Sequence, residues 1–65
     1  MDDSTAKMVA EAYDETFSES LAQGRPPDVA HREGVTAAAM FLASMTGQDD
    51  SVAIAEVEKL GLAPQ

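Results

Sequence analysis

Fifteen consecutive residues, Gly34 to Gln48, carry no charge in a chain of 65 residues that otherwise spreads 12 acidic and 4 basic side chains along its length. The larger members of this stretch, Val35, Met40, Phe41, Leu42 and Met45, do not confine themselves to one stripe of a helical wheel. A helix that is apolar nearly all round is normally buried all round. A chain this short buries only about 60% of its unfolded surface, and the two further helices its sequence offers cannot surround a third. The uncharged stretch therefore predicts an all-α fold, a helical hairpin plus a short third helix, that completes a bundle by dimerisation or by docking on a partner.

Composition supports this expectation. Twelve alanines stand against two phenylalanines, one tyrosine and no tryptophan, so the large side chains that let a mini-protein stand by itself are scarce. Association would supply the missing burial. The opposite reading is a monomeric three-helix bundle whose alanines face water, since scattered exposed apolar residues are normal.

The helices themselves are read from spacing and punctuation. Val9, Tyr13, Phe17 and Leu21 recur at intervals of four, opposite Lys7, Glu11, Asp14, Glu15, Ser18 and Glu19, which predicts an amphipathic helix over about 5–23. Asp3 or Ser4 is placed to cap it, and Gly24 to stop it. Pro26 and Pro27 cannot continue a helix, but Pro27 suits the first position of a new one running over about 27–46 and ending at Gly47. Asp49, Asp50 or Ser51 then caps a third helix over about 50–60, with Lys59 in its last turn and Gly61 beyond it. The tail Leu62–Gln65 is expected to be extended, with Leu62 packing back. Residues 1–65 are read as a single small helical domain.

Charge and residue types exclude several functions. A net charge of −8 opposes direct nucleic acid binding, which needs clustered Lys and Arg, and opposes adsorption to an anionic membrane. It suits solubility, a basic protein partner, or mimicry of a nucleic-acid backbone. No stretch approaches the 18 or so apolar residues of a membrane span, and the first residues lack the pattern of a secretory signal, so a cytoplasmic location is expected. There is no cysteine to form a disulfide or thiolate site, and Gly24, Gly34, Gly47 and Gly61 stand singly, so no phosphate-cradling loop is present. Alanine-rich, lysine-poor usage suggests a bacterial or phage chain.

Three constellations have residue types suited to chemistry. Glu11, Glu15 and Glu19, with Asp14 beside them, project carboxylates from one helix face and would suit a hard cation or acid–base work, but a solvated face explains them as well. Asp28 and His31 share the i, i+3 spacing of acidic–histidine pairs in di-iron bundles, which use Glu at the first position. A surface histidine near a helix start is the simpler reading. Asp50-Ser51-Val52, followed by Ala53-Ile54, is similar to the start of the second helix of acyl carrier proteins, where the serine bears phosphopantetheine. That resemblance covers three residues, has valine where leucine is usual, and leaves fourteen residues after Ser51 where a carrier needs further helices. Ser51 is taken as a cap.

The sequence thus points to a non-enzymatic protein–protein interaction module, a small accessory or regulatory subunit without cofactor or metal, whose partner is another protein or its own copy. The interface expected is Tyr13, Phe17, Val35, Ala38, Met40, Phe41, Leu42 and Met45. The alternative is an acidic inhibitor that imitates nucleic acid, displaying Glu11, Asp14, Glu15 and Glu19 to a basic enzyme; a small carrier or metal-binding helical protein ranks below both.

Overall fold

The computed structural model describes residues 1–63; the expectation of an extended tail at Pro64 and Gln65 lies outside them. Among the described residues there are three helices and no strand: α1 over Asp3–Ala22, α2 over Pro27–Thr46 and α3 over Asp50–Lys59. α1 and α2 form the expected antiparallel hairpin, and α3 packs against α2.

Each boundary follows from local chemistry. The α1 cap is Asp2, one residue before the candidates Asp3 and Ser4: its extended backbone lets its carboxylate accept from the Thr5 amide at 2.8 Å, the third helical position. At the other end Gly24, at φ 90°, closes a Schellman turn in which the Arg25 amide donates to the Ser20 carbonyl and the Gly24 amide to that of Leu21. Pro27 then opens α2 at its first position, and α2 stops where Gly47 turns left-handed and donates to the Ala43 carbonyl. Asp49 occupies the α3 cap position without a side-chain cap bond, which places Ser51 inside the first turn and not at the cap.

The core joins Val9, Tyr13 and Phe17 of α1 to Ala30, Ala38, Ala39 and Leu42 of α2 and to Ala53 and Val57 of α3, with Val35, Ala43 and Leu62 packed against it. Leu21 departs from the expected stripe and is exposed, while Ser20 is buried. Helix geometry explains the exchange. Four residues advance the helix by one turn plus about 40°, so a row spaced by four walks around α1 and carries its fourth member off the core.

Burial in α2 also differs from expectation. Three of its alanines are buried, and Ala30, Gly34 and Ala38, spaced by four, form a row of small side chains. At its centre a Cβ on Gly34 would stand only 2.7 Å from Cδ2 of Tyr13. Small residues set how closely two helices approach, so the alanine content of α2 is spent largely on close packing within the chain. The outward apolar surface is correspondingly narrower than the uncharged run implied.

Candidate interaction surface

That surface centres on Met40, which is 63% exposed. Two depressions meet at it. The larger, an open groove of about 500 Å³, is lined by Thr16 of α1 and by Val29, Arg32, Glu33, Thr36, Ala37 and Met40 of α2. The smaller, about 130 Å³, is lined by Thr36, Ala39 and Met40 with Asp50 and Ile54 of α3. Both have largely apolar walls. Met40 is therefore a ridge between two shallow apolar hollows, one on each side of the outward face of α2.

Four of the interface residues expected from sequence, Tyr13, Phe17, Ala38 and Leu42, are buried in the chain's own core, and none of them lines either hollow beside Met40. Val35 is half-buried against the same core. Met40, Phe41 and Met45 remain exposed, although Phe41 and Met45 lie outside both depressions. The expectation weighted side-chain size, whereas accessibility is set by angular position. Val29, Thr36, Ala37 and Met40 were overlooked as a set, yet they recur at i, i+7, i+8 and i+11, the signature of one helix stripe.

The polar groups near this face hold the hairpin together. His31, expected at the surface, is half-buried: Tyr13 Oη lies 2.7 Å from His31 Nδ1, and the two rings meet edge to face with centroids 5.5 Å apart. Phe17 stacks on the other side of Tyr13 at 5.8 Å. Burial raises the Tyr13 hydroxyl above the ordinary tyrosine range, and the adjacent Asp14 carboxylate adds to the effect. Nearer the connection, Ser20 Oγ donates to Glu33, whose second carboxylate oxygen lies 3.4 Å from Arg25 Nε. This cluster ties the end of α1, the turn and α2 into one unit.

Glu11, Asp14, Glu15 and Glu19 are all exposed on α1. Among the described residues no three His, Cys, Asp or Glu side chains are placed to share a metal ion. No described helix is long and apolar enough to cross a membrane. Compared with protein-family models, curated proteins and solved structures, the chain matches none.

Proposed function

We propose that this protein is a non-enzymatic interaction module, a small accessory or regulatory subunit that binds another protein through the outward face of α2. The observation that carries the reading is Met40, a large apolar side chain left mostly exposed between two apolar hollows. Methionine suits such a role because its unbranched, polarisable side chain adapts to irregular surfaces. Fully burying a side chain of this kind contributes about 1.5–3 kcal/mol, so covering the exposed part of Met40 is worth roughly tenfold in affinity.

The test is the native mass of the protein purified under non-denaturing conditions from the cell that makes it, together with whatever it binds, measured by light scattering for wild type and for Met40→Asp. The reading expects a mass above that of one chain for the wild type and a folded, single-chain mass for the variant. A single-chain mass for both sinks it.

A second reading rests on the exposed Glu11, Asp14, Glu15 and Glu19, which would present a row of carboxylates to a basic enzyme. Salt separates the two. An apolar contact persists at high ionic strength, whereas charge mimicry weakens as the Debye length falls from about 10 Å at 0.1 M to about 3 Å at 1 M.

A further inference from the structure

We propose that Met40 is an oxidation site, at which hydrogen peroxide or a similar small peroxide weakens binding at the outward face of α2 while the fold stays intact; the proposal rests on the reading of this face as the contact surface. The observation behind it is where the chain keeps its sulfur. It has four methionines and no cysteine. Methionine is among the residue types most often fully buried, yet Met1, Met8, Met40 and Met45 are 50%, 37%, 63% and 46% exposed, and the core contains none of them. Met40 is the most open of the four, and it lines both hollows, which leave room for a small oxidant beside it.

The step needs only the thioether and the oxidant. Sδ attacks one oxygen of hydrogen peroxide, the O–O bond breaks, and the proton on the transferred oxygen joins the departing hydroxide as water. The thioether is oxidised by two electrons to a sulfoxide, and the peroxide is reduced to water. A flexible apolar side chain thereby becomes a polar one, which disrupts cores and methionine-bearing interfaces. Position decides which of those two effects this chain shows. Val9, Tyr13, Phe17, Leu42 and Val57 supply the larger side chains of the core, and none of them carries sulfur. At Met40 the new S–O dipole stands between two hollows with largely apolar walls, where an apolar partner surface would strip its water without replacing the hydrogen bonds. Oxidation therefore acts on binding and leaves folding alone.

The test starts from the assembly purified from the cell that makes the protein. Hydrogen peroxide is added until Met40 is partly oxidised and is then removed; after re-equilibration the assembled and single-chain fractions are separated, and sulfoxide is located by mass spectrometry of proteolytic peptides. Because covering Met40 is worth roughly tenfold in affinity, its sulfoxide should be enriched about tenfold in the single-chain fraction. Sulfoxide at Met8 and Met45 should divide evenly between the two. Far-UV circular dichroism of the fully oxidised chain should match that of the untreated one, and methionine sulfoxide reductases should return the chain to the assembled fraction.

Met40 sulfoxide found equally in both fractions would overturn the proposal. So would dissociation that follows sulfoxide at Met8 or Met45 instead, loss of helix on oxidation, or a Met40 that resists peroxide in the free chain. A sample that holds only single chains before any peroxide is added refutes the contact reading itself and the switch with it. That outcome is seen in the untreated sample, so the two failures are told apart.

Discussion

Replacing Gly34 by alanine tests the packing that creates the Met40 face. Alanine is the better helix former by about 1 kcal/mol, so on an exposed helix position the change would stabilise. At Gly34 the new Cβ would lie 2.7 and 2.8 Å from Cδ2 and Cε2 of Tyr13 and 3.2 Å from its carbonyl oxygen. Carbon atoms pack at about 3.5–4.0 Å, so the ring must retreat by close to 1 Å. It has little room: Tyr13 is fully buried, stacked on Phe17 and bonded to His31. Overpacking of this kind costs about 1–3 kcal/mol, and loss of the Tyr13–His31 bond adds about 1 kcal/mol. Net of the propensity gain, Gly34→Ala should destabilise the fold by about 1–3 kcal/mol. At about 4–8 °C per kcal/mol for a chain of this size, the midpoint of a thermal melt followed by far-UV circular dichroism should fall by roughly 5–20 °C. Ser44→Ala, at an exposed position of the same helix, is the control and should raise it slightly. If Gly34→Ala melts at or above wild type, the close crossing of α1 and α2 is wrong.

Other outcomes follow from the same contacts. Because the folded Tyr13 hydroxyl titrates above the unfolded value near 10.0, its contribution is constant below that pH and is lost as pH rises beyond it; urea midpoints should decline above pH 10, and less so for Tyr13→Phe. Asp2 titrates below its ordinary 3.8, chiefly through the Thr5 amide bond, so its capping is present above that pH and fades as pH falls through the lower folded value. Slowed exchange of the Thr5 amide, compared between wild type and Asp2→Ala, reports it. Leu42→Ala should cost about 2–5 kcal/mol in urea unfolding through lost burial and a cavity, whereas Met40→Ala should lie within about 0.5 kcal/mol of wild type, as exposed positions do.

Helix punctuation is local chemistry, and so it was legible in the sequence. Pro27, Gly24, Gly47 and Gly61 mark ends whose geometry depends only on their own backbone and a few neighbours, and Val9, Tyr13 and Phe17 identify the buried side of α1 by spacing. What the sequence hid depends on register between helices. Tyr13 and His31 are eighteen residues apart and meet only once the hairpin closes. Gly34 in isolation reads as a weak spot in a helix, and its purpose is visible only with the Tyr13 ring lying over it. The contact face was obscured for a related reason. Phe41 and Leu42 are adjacent and similar in size, yet a rotation of about 100° per residue puts Leu42 in the core and leaves Phe41 at the surface. Treating the uncharged run as uniformly sticky merged two sides of one helix: Gly34, Ala38 and Ala39, which pack inward, and Thr36, Ala37 and Met40, which with Val29 before the run line the outer groove.

That outward stripe is the central claim, and site-specific photo-crosslinking in the cell that makes the protein tests it most directly. A photoreactive side chain placed at residue 40, and separately at residue 14 on the outer side of α1, samples the two candidate faces under identical conditions. The account predicts one discrete protein adduct from position 40 that is absent from position 14 and persists in high salt. An adduct from position 14 and none from position 40 would contradict it.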